Sequence, residues 1–105
     1  INVINNRLVV NSQQNIIAVS VSYRRTGGVQ VSIESAFGKV IKNLRKSNNF
    51  SQEKLSELSN LNRSFISQIE CGRKQPSLVT IFQFAKAFKL SASKLLLLTE
   101  DKIKK

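Results

Sequence analysis

The chain has 105 residues, enough for one small domain with a modest core. It contains 17 Lys and Arg and 6 Asp and Glu, which give a formal net charge of +11. A charge this positive is better explained by a polyanionic partner than by solubility alone. One cysteine and no histidine exclude an intrachain disulfide and a Cys/His metal site, and they fit a reducing cytoplasm.

Charge alone does not distinguish nucleic acid from an anionic membrane surface. No apolar run approaches the roughly 20 residues of a transmembrane helix, and Asn5, Asn6 and Asn11 interrupt any signal peptide. The chain begins at Ile1 and contains no methionine, so its natural start can lie upstream. We expect a cytoplasmic protein with no membrane partner, no metal and no cofactor.

Residues 1–32 form a β-prone extension without an acidic residue before Ser32. Alternation of apolar and polar residues predicts a hairpin with strands over about 16–24 and 29–33, joined by a turn at 25–28. A short strand within 2–10 is a further possibility. A lone hairpin has only marginal stability in water. This segment is therefore expected to pair with a partner chain, to pack against the rest of the chain, or to stay partly disordered. For Arg24 and Arg25 at the hairpin tip, a solvated turn is favoured over an arm that reaches DNA.

From about Ser35 the apolar period becomes helical. The first helix is predicted to run to about Ser47, with one apolar stripe formed by Phe37, Val40, Ile41 and Leu44. Ser51 is expected to cap a second helix over about 52–58 by accepting an amide hydrogen bond, and Leu55 and Leu58 are expected to face inward.

The third helix, over about 63–71, is predicted to follow a tight turn. Asn60 tolerates the left-handed conformation, Leu61 can enter the core, and Asn62 is the expected N-cap. Ile66 and Ile69 are predicted to face the core, and Gly72 to end the helix.

Two more helices are predicted, capped by Ser77 and Ser91. The fourth covers about 78–88, and the fifth covers about 92–97. Residues 100–105 are expected to be a charged, frayed tail. The residues predicted to be apolar contacts of these helices are Leu78, Ile81, Ala85 and Phe88 in the fourth and Leu95, Leu96, Leu97 and Leu98 in the fifth.

Several short motifs follow one another at characteristic spacing. They are Leu44-Arg45, Ser51-Gln52-Glu53-Lys54-Leu55, Ser67-Gln68-Ile69-Glu70-Cys71-Gly72, Pro76-Ser77 and Ala85. Each is weak alone, but together they resemble the phage-repressor-like helix-turn-helix family, the Cro-type or XRE-like transcription regulators, over about residues 37–98. The family usually has alanine where this chain has Ser56 and glycine where it has Asn60; both replacements preserve the small or left-handed-tolerant character.

The resemblance implies a mainly α fold: a five-helix domain over 33–99, preceded by the β-prone extension 1–32 and followed by the tail 100–105. It also implies a sequence-specific transcription regulator with a nucleoid-associated location. This regulator would be a homodimer that places the third helix in the major groove of double-stranded DNA at a two-fold-related operator.

Site residues follow from the resemblance and from local chemistry. An arginine fork suits guanine and a glutamine amide suits adenine. The expected base contacts are Arg63, Ser64, Ser67 and Gln68; the expected phosphate contacts are Gln52, Asn62, Arg73 and Lys74; the expected structural ion pair is Arg45 with Glu70; and the expected dimer contacts are Leu95, Leu96 and Leu98.

Other functions remain as alternatives. The same fold can serve as a protein-interaction module or antitoxin, for which an exposed strand edge in the hairpin is the supporting feature, or as the DNA-targeting domain of a larger protein. An enzyme is not expected, because the chain lacks a Gly-rich phosphate loop and a paired-carboxylate signature. Cys71 is interpreted as an inert edge residue, with a redox switch as the minor alternative.

Overall fold

The computed structural model describes residues 9–10, 16–17 and 31–104, which divide into two units with a boundary between Val31 and Ser32. In the first unit, β1 (Val9–Val10) pairs antiparallel with β2 (Ile16–Ile17), with Val9 opposite Ile17. β1 lies within the segment 2–10 that the sequence offered as a further strand. Most of the predicted pairing between 16–24 and 29–33 lies outside the described residues. The predicted turn at 25–28, with Arg24 and Arg25, lies outside the described residues.

The predicted second hairpin strand is wrong at its end. Val31 and Ser32 are not in a strand, and Ile33 is already the first residue of a helix. Ser32 is the N-cap, because its Oγ accepts a hydrogen bond from the amide of Ser35 at 3.0 Å. This local capping bond moves the start of the helix two residues ahead of the predicted start at Ser35.

The second unit, as far as it is described, consists of five helices, as predicted. They are α1 (Ile33–Ser47), α2 (Gln52–Ser59), α3 (Arg63–Glu70), α4 (Leu78–Phe88) and α5 (Ala92–Lys104).

Polar caps and left-handed residues define the helix ends. The side chains of Ser51, Asn62, Ser77 and Ser91 each accept an amide hydrogen bond in the first turn of the following helix, at 2.7–3.1 Å. Asn60 ends α2 in the left-handed conformation, with φ of 62°. These short-range bonds are why the sequence pattern located most helix boundaries.

The core lies where α1, α2, α3, α4 and α5 converge. Phe37 of α1 meets Phe84 of α4 edge to face, with ring centroids 5.9 Å apart, and Leu55, Ile66 and Leu95 are fully buried around them. Burial of these side chains supplies most of the driving force for folding of this unit.

Two predicted packing positions are wrong. Leu58 is 39% exposed because Ser59 takes the inward position, where its Oγ bonds to the carbonyl of Leu55. Leu78 is 68% exposed because it lies in the first turn of α4, beyond the core. The buried stripe of α4 instead passes through Phe84.

The fifth helix is longer than predicted and includes most of the supposed tail. It continues to Lys104 because the inward stripe continues at Thr99, which is buried, and at Ile103, which is half-buried. The Thr99 hydroxyl is satisfied by donating to the carbonyl of Leu95 at 2.9 Å. Residues 100–104 are therefore helical, although they remain rich in charge.

Candidate nucleic-acid interface

Helix α3 has two chemically distinct faces. Ile66 and Ile69 are fully buried, whereas Arg63, Ser64 and Gln68 are exposed. Ser67, the fourth expected base-contacting residue, is half-buried. The fold therefore brings the four residues onto the outward side of one short helix, where their polar groups can meet a ligand.

Asn62 fixes the start of that helix. Its Oδ1 accepts hydrogen bonds from the amides of Ser64 at 2.7 Å and Phe65 at 3.4 Å. The oxygen is thus committed to capping, and the Nδ2 amine is the part of this side chain that can donate to an anionic oxygen.

Arg45 and Glu70 form the expected ion pair between α1 and the end of α3. The contact is bidentate, with Nε donating to Oε2 at 2.6 Å and Nη2 donating to Oε1 at 3.0 Å. The hydrogen bond to Glu70 raises the pKa of the Arg45 guanidinium above its usual value. Nη1 also donates to the carbonyl of Phe50 at 3.1 Å. Arg45 therefore contacts both the end of α3 and the connection between α1 and α2.

Gln52 joins this network from the start of α2. Its Nε2 donates to Oε1 of Glu70 at 3.1 Å. An amide nitrogen has two N–H groups, so this bond orients the expected phosphate-contacting side chain and still permits a second hydrogen bond. Arg73 and Lys74 are exposed in the segment after α3.

Glu53 makes a contact that the sequence did not suggest. Its Oε2 lies 2.9 Å from Nε of Arg63, with 67% and 57% of the two side chains exposed. Helical spacing within α2 and α3 does not reveal a contact between them. The available signal was the opposite charge of two residues in the first turns of neighbouring helices.

Gly38 is a second residue that sequence reasoning missed. A Cβ built at this position would overlap the carbonyl oxygen of Ile69, and it would lie 3.0 Å from the carbonyl oxygen of Glu70. The backbones of α1 and α3 therefore approach each other closely enough to exclude a side chain at residue 38. The signal in the sequence was a glycine within an otherwise regular helical stripe.

Ser56 stabilises the turn between α2 and α3. Its Oγ donates to the carbonyl of Leu61 at 2.5 Å, and its own carbonyl accepts from the amides of Asn60 and Leu61. The small side chain at this crossing thus also supplies a polar link across the turn.

The expected dimer contacts must be corrected at one position. Leu95 is fully buried in the core and cannot line an intermolecular surface. Leu98 is half-buried and packs against the same core. The leucines that α5 presents to solvent are Leu96, with 43% exposed, and Leu97, with 47% exposed.

Two further observations concern the described residues only. Cys71 is an exposed free thiol that follows α3. None of the helices in the described ranges is long and apolar enough to cross a membrane.

Residues 41–95 match the helix-turn-helix family. The chain belongs to this family. The matched span runs from α1 into α5 and so contains the turn, α3 and most of the core. The phage-repressor-like, XRE-like resemblance and the mainly α fold predicted from the sequence are therefore confirmed.

Similar proteins include control protein C.SmaI of Serratia marcescens, which is 35% identical over 66 residues, spanning 63% of this chain and 79% of that protein. The restriction-modification controller C.AhdI from Aeromonas hydrophila is 35% identical, with a TM-score of 0.57, over 59% of this chain and 94% of its own. The controller C.Esp1396I, solved as a tetramer with its natural 35-base-pair operator, is 26% identical, with a TM-score of 0.66, over 72% of this chain and 100% of its own.

Proposed function

We propose that this chain is a dimeric transcription regulator of the restriction-modification controller type, which binds a two-fold-related DNA operator through α3. The observation that carries the proposal is the division of α3 into a buried apolar face and an exposed polar face. The similarity to C.AhdI and to operator-bound C.Esp1396I supports it. The net charge of +11 supplies the attraction to a polyanion.

In the proposed complex, α3 lies in the major groove and its outward side chains read base edges. Arg63 donates to O6 and N7 of a guanine, and Gln68 pairs with N6 and N7 of an adenine. Ser64 and Ser67 bond to neighbouring bases or phosphates. These contacts set the preferred sequence.

Phosphate contacts flank the base contacts and set the position of the protein on the duplex. Gln52 and Asn62 lie at the N-termini of α2 and α3, where helix amides favour an anionic oxygen. Arg73 and Lys74 reach the backbone from the segment after α3. The Arg45–Glu70 pair binds no DNA in this proposal and holds α3 at its angle to α1.

The dimer forms through the exposed leucines of α5, Leu96 and Leu97, together with the accessible part of Leu98. A two-fold contact between these helices would place two copies of α3 on one side of the DNA, with half-sites about 10 base pairs apart. Sedimentation at high protein concentration tests this step. A protein that stays monomeric both free and on DNA would rule out the α5 dimer.

Selection of bound sequences from a random DNA pool tests the recognition helix. We expect the parent to select a two-fold-related sequence, and Arg63→Ala and Gln68→Ala each to relax preference at one base pair, by about 1–3 kcal/mol. Lys86→Ala, at an exposed position of α4, is the control. Like both α3 variants it removes one side chain, and like Arg63→Ala it also removes one positive charge. If both α3 variants bind selected and random DNA as the parent does, the assignment is wrong.

A further inference from the structure

We propose that Glu53 is a positioning residue that orients the guanidinium of Arg63 for recognition of guanine. The inference rests on the proposed function, because it gives a role to a neighbour of an expected base-contacting side chain. It starts from the ion pair that links the first turn of α2 to the first residue of α3, with Oε2 of Glu53 2.9 Å from Nε of Arg63.

The pair adds little to folding stability. More than half of each side chain is exposed, and exposed ion pairs are weakened by solvent and by the ordering of two long side chains. In a chain with only 6 acidic residues, an acid on the face proposed to meet DNA also weakens attraction to phosphates. A carboxylate here is therefore better explained by its effect on Arg63 than by stability or by general affinity.

The geometry of the contact matches such a role. Glu53 lies against Nε of Arg63, which is one edge of the planar guanidinium. Nη1 and Nη2 form a second edge of the guanidinium, which can donate two parallel hydrogen bonds to O6 and N7 of guanine. Holding Nε restricts the rotamers of a long side chain before DNA arrives, which reduces the entropy lost on binding.

The same helix offers a matched control. Glu57 is also an exposed acid of α2, but its contact is with Lys54 on its own helix, with Nζ 3.9 Å from Oε1. Glu53→Gln and Glu57→Gln each remove one negative charge from α2. Only the first removes a carboxylate that contacts the recognition helix.

The experiment measures binding of the full chain to the DNA sequence selected by the parent and to the same sequence with the guanine read by Arg63 replaced. We expect Glu53→Gln to reduce discrimination between the two by about two- to fivefold, the range set by an exposed ion pair, and Glu57→Gln to leave it unchanged. In the Arg63→Ala background, Glu53→Gln should have no effect on discrimination. Thermal unfolding of each variant verifies that the domain remains folded.

Four results would overturn the inference. They are unchanged discrimination in Glu53→Gln, an equal loss in Glu57→Gln, an equal rise in affinity for both DNA sequences with discrimination intact, or an effect of Glu53→Gln on discrimination in the Arg63→Ala background. A parent that selects no sequence would refute the proposed function and with it the premise of the inference. A parent that selects a sequence which Glu53→Gln recognises equally well would refute the inference alone.

Discussion

Gly38 controls how closely the recognition helix can approach α1. The space that a side chain would occupy is filled by the carbonyl oxygens of Ile69 and Glu70. A methyl group at residue 38 can be accommodated only if α3 moves outward. Because Ile69 lies in the core and Glu70 in the ion pair with Arg45, such a movement would disturb both.

We predict that Gly38→Ala destabilises the domain, although alanine favours helix formation. The overlap is with backbone atoms, so we expect a cost toward the upper end of about 1–3 kcal/mol. Against a gain of about 1 kcal/mol from helix propensity, urea unfolding should show a net loss of stability of up to about 2 kcal/mol. Asn43→Ala, at an exposed position of α1, should change stability by less than about 0.5 kcal/mol. A Gly38→Ala variant as stable as the parent would show that α3 shifts without strain.

Individual contacts were predictable where a local pattern or a family motif specified them. The Arg45–Glu70 pair was expected from the resemblance, and the buried Ile66 and Ile69 from helical spacing. The Glu53–Arg63 contact was not, because the placement of two long surface side chains depends on how α2 crosses α3 and not on periodicity.

Gly38 was missed for a similar reason. Within one helix a glycine is only a weak helix former. Its role becomes visible when the backbone of the neighbouring helix is known.

At the scale of elements, caps and apolar stripes located the helices well. The end of α5 was misplaced because no glycine or proline follows Leu98 to stop the helix, and the polar residue Thr99 occupies an inward position. Four consecutive leucines also concealed the direction of each side chain, since spacing alone cannot separate Leu95 from its neighbours.

We predict that substitutions of the buried and the exposed leucines of α5 affect different properties, the stability of the monomer and its self-association. Leu95→Ala should destabilise the monomer by about 2–5 kcal/mol, because it leaves a cavity in the core. Leu97→Lys should leave the unfolding of the monomer nearly unchanged while weakening self-association, as measured by sedimentation. Equal effects of both variants on unfolding would contradict this division.

At the scale of the whole molecule, the five-helix unit has its own helix caps and its own buried hydrophobic residues. Its first cap is Ser32, and its buried hydrophobic residues lie between Ala36 and Leu95.

The β-prone segment was harder to predict, because alternation identifies a strand but not its partner. The pairing of β2 with Val9–Val10 illustrates this limit.

We predict that a chain starting at Val31 folds as well as the full chain does. Thermal unfolding followed by circular dichroism should remain cooperative, because the five-helix unit has its own first cap at Ser32 and its own buried hydrophobic residues. Comparison with the full 105-residue chain is the control. A gradual, non-cooperative transition of the shorter chain would show that the first unit contributes to the core.

The bonds of Arg45 to Glu70 and to the carbonyl of Phe50 have a consequence for fluctuations of the recognition helix. Local opening of α3 would break the ion pair of Glu70 with Arg45, whose guanidinium stays bonded to the carbonyl of Phe50 in the α1–α2 connection. This contact therefore opposes opening of α3 as a separate unit. We therefore expect the contact with α1 to slow amide hydrogen exchange in α3. A helix held in this way is already ordered before it meets a ligand, and binding does not have to supply that ordering entropy.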